Sequence, residues 1–184
     1  MPVNVPSGTT NNISFGPATI FLGASGTTPT VDVGYIDNDT GVEIVLMNKK
    51  RDITQGNPKV KLYTFSQEQG VTVKLTGIEW NNTNFAYALG AGTTAISGSE
   101  KSFTFGGDPI AKTCALQIQH YMPVTGHTMM YYCWKAVSDG DLTMALTHDE
   151  HKFPYSFALQ RASTDWAGNT LTYDKQLLKV AEIL

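Results

Sequence analysis

Charge is what this chain has least of. Only 16% of its 184 residues are Asp, Glu, Lys or Arg, against roughly 25% in ordinary soluble domains. With 41% hydrophobic residues and abundant Thr, Gly and Asn, much of the surface must be uncharged, which favours an assembled state over a free monomer. Positive charge is short as well. The net charge is −3 and the pI about 5.7, too acidic to neutralise many phosphates, so nucleic-acid binding by charge is excluded. Cysteine appears only twice, too seldom for a disulfide scaffold. No apolar run approaches the ~20 residues of a membrane-spanning helix. The first 14 residues lack both the basic start and the apolar run of a secretory signal, which points to synthesis and assembly in a cytoplasm.

Helical patterning is nearly absent too, and the single clear instance is informative. In QGVTVKLTGIEWNNTNFAYALGAG, residues 69–92, Val71, Val73 and Leu75 alternate with Thr72, Lys74 and Thr76, the period of a half-buried strand. At Gly77 the apolar phase moves to Ile78 and Trp80, which predicts a bulge or bend. Asn81 is placed to cap a short helix at about 82–89. Trp80 and Phe85 stand at hydrophobic-staple spacing. Phe85, Ala88 and Leu89 share one face, and Gly90 suits the left-handed stop. Everything else reads as β.

A strand of the form GVTVKLTGIEW followed by a helix ending in AYALGAG resembles the major tail protein of long-tailed bacteriophages, the subunit of their tail tube. FGPATIFLG at Phe15–Gly23 and VDVGYIDNDTGVEIVLMNKKRDITQG at Val31–Gly56 extend the resemblance. It covers roughly the first half of the chain in order, and the second half fits only by its strands. The resemblance implies subunits in stacked hexameric rings whose inner sheets join into one barrel. It implies self-association, contacts with a tape-measure protein and tail-end proteins, and a lumen that passes DNA without binding it. It places the protein in the virion tail, with no enzyme activity, cofactor or membrane partner.

In order along the chain, residues 1–17 read as an extended N-terminal arm. Strands are expected at Ala18–Gly23, Val31–Ile36 and Val42–Met47, the last two joined by a hairpin turn at Asp37–Gly41. Asn48–Pro58 is polar and ends in Gly and Pro, so it reads as a long inter-strand loop, although Arg51–Gln55 are compatible with an extended strand. In the resembling family this connection reaches the next ring, which makes Asn48, Lys49, Lys50, Arg51, Asp52, Thr54 and Gln55 the candidate ring-stacking residues. The helix-packing residues are Trp80, Asn81, Phe85, Leu89 and Gly90. Lys59–Phe65 returns as a strand and Ser66–Gly70 as a turn.

After the helix, Thr93–Ser97 and Lys101–Phe105 are expected strands. Lys112–Tyr121 and His127–Val137 form the clearest hairpin. If Tyr121 pairs with Gly126, Cys114 faces Cys133, Leu116 faces Tyr131, Ile118 faces Met129 and His120 faces His127. The two cysteines then read either as a cross-strand disulfide or as reduced core residues, which a cytosolic origin favours. Leu142–Thr147 and Lys152–Leu159 are further strands, with Pro154 expected at an edge or bulge. Thr170–Tyr173 is a short strand, and residues 175–184 form an apolar tail that needs cover from the core or a neighbouring subunit.

Sites for chemistry fare poorly. Gly90-x-Gly92-x-x-Ala95 has dinucleotide-fingerprint spacing but follows a helix, whereas that motif follows a strand. His148-Asp149-Glu150-His151 carries metal-capable groups, yet a polar tetrad between strands reads more simply as solvated loop. Two histidines alone lack the ligand set of a structural zinc site. No Ser-His-Asp arrangement or particular carboxylate pair stands out.

These readings converge on a single domain over 1–184, mainly β: an antiparallel β-sandwich or half-barrel with one short flanking α-helix, serving as a structural subunit. Two alternatives remain open. One is a carbohydrate-binding β-sandwich module using Trp166. The other is the tube protein of a type VI secretion or contractile injection machine.

Overall fold

The structure, a computed structural model, describes residues 16, 18–107, 110–144 and 151–184. The expected arm at 1–17 lies outside the described residues apart from Gly16, as do 145–147 of the expected Leu142–Thr147 strand and three members of the 148–151 tetrad. Leu142–Met144 form no strand.

The protein is mainly β and antiparallel, with one α-helix among the described residues. Its strands are β1 (Ala18–Ala24), β2 (Val31–Asp32), β3 (Val42–Gln55), β4 (Val60–Gly77), β5 (Thr93–Ser97), β6 (Glu100–Thr104), β7 (Thr113–Met122), β8 (His127–Ser138), β9 (Phe153–Leu159) and β10 (Lys179–Ile183). The main sheet runs β2-β1-β7-β8-β9-β4-β3, with β10 also on β8, and β5–β6 forms a separate hairpin. The helix α1 (Asn82–Leu89) lies beside that hairpin and the ends of β8 and β9.

The main sheet curls until its two ends meet. The chain after β2 leaves β1, donates Val33 N–H to Ile20 O at 3.0 Å, and bridges β4 through Ile36 and Gly77. Ile78 N–H to Tyr35 O at 3.0 Å and Asp37 N–H to Thr76 O at 2.8 Å complete this seam. Inside lie Ile20, Leu22, Val73, Leu75, Leu116, Ile118, Cys133, Phe153 and Phe157. Closing the sheet pairs groups that open edges would leave exposed.

Several expectations need correction. Val31–Ile36 and Val42–Met47 do not pair, because the first segment serves as the seam and β3 takes β4 instead. The turn at 37–41 survives as an excursion closed by Gly41 N–H to Asp37 O at 2.9 Å. Asn48–Pro58 is no loop, and Ser66–Gly70 is no turn. Both lie within one long β3–β4 hairpin, or at its tip, with two register shifts absorbing the extra β4 residues Leu62 and Gln67. β4 ends at Gly77 without a bulge there.

The β7–β8 register also differs from expectation. Gly126 takes a φ of 76° and donates to Met122 O, so it stays in the turn and pairing starts at Met122 with His127. A left-handed glycine suits a turn, not a ladder. Each strand therefore shifts by one: Leu116 faces Cys133, Ile118 faces Tyr131, His120 faces Met129, and past an irregularity Cys114 faces Ala136. No cross-strand disulfide forms. Both cysteines are free and buried, and desolvation pushes each thiol up to about 12.

β9 lies inside the strand order, but its first half has a partner on one side only, so Pro154 stands at a local edge as expected. Pro154 is tolerated because it lies in the half that pairs β4 alone, while only Phe157–Leu159 also meet β8. Thr170 makes a lone bridge with Thr164, and Tyr173–Lys175 form a single 3-10 turn. Of the expected apolar tail, Leu177 and Leu178 pack on the core, and Lys179–Ile183 become β10.

The helix is built as its sequence specifies. Asn81 Oδ1 accepts from Asn84 N–H at 2.8 Å, and Gly90 closes the C-terminus at φ 59°. Trp80 meets Phe85 edge-on at 5.6 Å, and its indole N–H donates to His151 O at 3.1 Å. The buried face is Asn84 and Ala88, with Phe85 and Leu89 half-buried at its flank. Asn84 Nδ2 donates to Val33 O at 3.1 Å and Glu79 O at 3.2 Å, tying the helix to the seam. Replacing Asn81 with Ala removes the cap while leaving every packed ring in place. It is expected to lower stability by about 1 kcal/mol in urea denaturation.

Candidate assembly surface

The seven sequence-nominated stacking residues all fall on β3, where the chain leaves the core. Asn48 faces Gln69, Lys49 Glu68, Lys50 Ser66, Arg51 Phe65, Asp52 Thr64, Thr54 Lys61 and Gln55 Val60. From Val45 to Gln55 and back from Val60 to Gln69, every residue is exposed. At ~3.3 Å per residue this makes a two-stranded arm roughly 33 Å long. No Gly or Pro interrupts Val42–Gln55, and Gly56-Asn57-Pro58 supplies the tip. That unbroken run was the signal for a strand.

The faces of the arm follow from its register. Val42 and Ile44 pack on the core opposite Leu75 and Val73, so even-numbered β3 residues continue the core side outward. The other face carries Val45, Met47, Lys49, Arg51 and Ile53, with Phe65 opposite Arg51 and Tyr63 opposite Ile53. Tyr63 is 64% exposed and Ile53 50%. Sequence reasoning missed this stripe because it treated the segment as loop, where alternation carries no meaning. An exposed two-stranded ribbon is marginal without a partner for its apolar face.

Charge on the arm opposes charge on the body. Between Val45 and Gln69 stand Lys49, Lys50, Arg51, Lys59 and Lys61 against Asp52 and Glu68; the rest of the chain has eight cations and fourteen anions. Lys61 contacts Asp52 at 2.6 Å and Lys49 contacts Glu68 at 3.6 Å. Lys61 and the Thr64 hydroxyl hold the Asp52 carboxyl below its ordinary range. Exposed pairs of this kind add little stability.

At the seam, Lys152 Nζ donates to Asp37 Oδ2 at 3.0 Å, and Thr40 Oγ1 donates to the same oxygen at 3.1 Å. The lysine bond foremost, with help from Thr40, keeps the Asp37 carboxyl below the usual 3.8. A depressed carboxyl stabilises the fold at pH above its unfolded value and loses that contribution as pH falls through its folded value. Asp37→Asn is therefore expected to flatten part of the acid limb of the stability curve below about pH 4. Urea midpoints across the acid range check this, and an unchanged slope would remove the pair from the account.

The remaining candidates are placed as follows. Trp166 packs against Tyr132 at 5.4 Å and edge-on against Trp134 at 4.9 Å, half-buried with its N–H enclosed. Trp134 donates to Lys175 O at 3.0 Å. His120 and His127 do not face each other, and among the described residues no three His, Cys, Asp or Glu side chains gather as a metal site. No helix of the described chain is long and apolar enough to cross a membrane. No protein-family model matches the chain, and no curated protein matches it in sequence.

Proposed function

We propose that this chain is the structural subunit of a tube, assembled as stacked rings through the β3–β4 arm, as in the tail of a long-tailed bacteriophage. The observation that carries the reading is the arm itself. It projects from a closed core, bears an apolar stripe on one face, and is opposite in charge to the rest of the chain. A basic arm on an acidic body fits a head-to-tail contact, in which each subunit's arm meets the next subunit's body. Contacts of that kind generate rings or filaments instead of closed pairs. The ring of six, the tape-measure and tail-end partners, the place in the virion tail and the passage of DNA come from the resemblance. The function is geometric and asks for no catalysis. A channel wall of acidic and neutral side chains lets DNA pass without holding it.

Light scattering on the purified chain, with negative-stain electron microscopy of the same sample, tests the reading. Rings or tubes with a central hole are expected, forming less readily as salt screens the arm. A chain that stays monomeric at high concentration and low salt overturns it. In an assembled structure, a lysine or arginine stripe facing the channel overturns the conduit mechanism.

A further inference from the structure

The chain has two arginines, Arg51 on the arm and Arg161 on the body, just past the end of β9. The Arg161 guanidinium is positioned twice. Its Nε donates to the side-chain carbonyl of Gln176, and its central carbon lies 4.9 Å from the centroid of the Tyr173 ring. Gln176 is itself buried and fixed. Its side-chain N–H donates to Leu171 O at 3.2 Å, and its backbone carbonyl accepts from Ala162 N–H at 3.0 Å. Among the described residues, neither outer nitrogen of the guanidinium meets an acceptor.

Arg161 lines a cleft of about 460 Å³, with Tyr173, Gln176 and Leu177 on its own side and Ser66 to Gln69 of β4 on the other. Glu68 is the one carboxylate among these lining residues, and it pairs with Lys49 at 3.6 Å, away from Arg161. From Val60 to Val71, β4 pairs only β3, and β9 joins at Thr72. The backbone of Ser66 to Gln69 therefore has an open side. Open strand edges take added peptide through main-chain hydrogen bonds. A planar fork with two adjacent donors matches the two oxygens of a carboxylate.

We propose that this cleft is a carboxylate-binding site, in which Arg161 grips both oxygens while Tyr173 and Gln176 fix the plane of its guanidinium. The open side of β4 fits a carboxylate carried on an extended peptide that runs along Ser66 to Gln69. The site goes beyond the tube reading and does not require it.

Phenylglyoxal labelling of arginine, read by mass spectrometry, tests the site on the full-length chain in any state of assembly. Arg51, exposed on the arm, is the internal reference. Succinate is expected to slow labelling of Arg161 several-fold and to leave Arg51 unchanged. An equal effect of sulfate at the same ionic strength overturns the carboxylate assignment. A capped pentapeptide with a central Glu, set against the same peptide with Gln, separates the sources. Protection by the Glu peptide at lower concentration than succinate puts the carboxylate on a peptide, and equal protection puts it on a small free acid. No protection of Arg161 by either, or the same protection at Arg51, overturns the site. Tyr173 is 80% exposed, so Tyr173→Ala is expected to keep the unfolding midpoint and to weaken protection several-fold. Undiminished protection in that variant overturns the positioned fork. Tubes without protection would keep the tube reading and remove the site, and protection without tubes would do the reverse.

Discussion

Cutting residues 50–67 from the arm and joining Lys49 to Glu68 through Asn-Gly is expected to abolish assembly and leave the fold intact. Lys49 and Glu68 already face each other, and Asn-Gly suits the tight turn that such a pair requires. Nothing removed is buried, so the unfolding midpoint should stay near that of the parent chain. Ile53, Val60, Leu62, Tyr63 and Phe65 leave together with Lys50, Arg51, Lys59 and Lys61, taking away most of the stripe and of the positive charge. Electron microscopy reads the outcome. Tubes of normal appearance from the shortened chain would show that stacking uses another surface. Tyr63→Glu with Phe65→Glu is a gentler version: the backbone ladder remains, and only the apolar face is spoiled.

The largest loss of stability is expected at Phe153. Its ring is fully buried and sits 5.0 Å from both Phe85 and Tyr155 and 6.0 Å from Trp80. It therefore joins the helix, the staple and the sheet interior. Phe153→Ala is expected to cost about 3–5 kcal/mol, the range for emptying a buried aromatic site. Against the roughly 5–15 kcal/mol of an ordinary domain, that is a large share. Urea denaturation measures it, and near-ultraviolet circular dichroism should lose the signal of the packed rings. A loss below about 1 kcal/mol would mean that helix and sheet are held together elsewhere. Tyr63→Ala on the arm serves as the contrast, with an expected change within about 0.5 kcal/mol.

The chemistry of the helix was legible because it is local. Asn81 caps, Trp80 and Phe85 staple and Gly90 stops whatever surrounds them, since those bonds lie within about ten residues of chain. Asn84 was missed. Its role is to reach Val33, 51 positions away, and no spacing rule brings those two together. The β7–β8 hairpin shows the same boundary within one motif. Alternation named both strands, but the phase between them depended on where Gly126 would sit. A shift of one residue on each strand replaced every cross-strand pair while keeping the same residues inward.

Residue order was enough for the class: low charge, period-two strands and one capped helix. Those follow from side-chain chemistry and short-range hydrogen bonding. Only the folded arrangement made Asn48–Pro58 extend and cap a ribbon, and turned the segment after β2 into the closure of the sheet. Each depends on which backbone finds a partner. A polar, basic stretch such as 48–55 is loop when alone and strand once β4 lies beside it, because the ladder supplies the bonds that water would otherwise make.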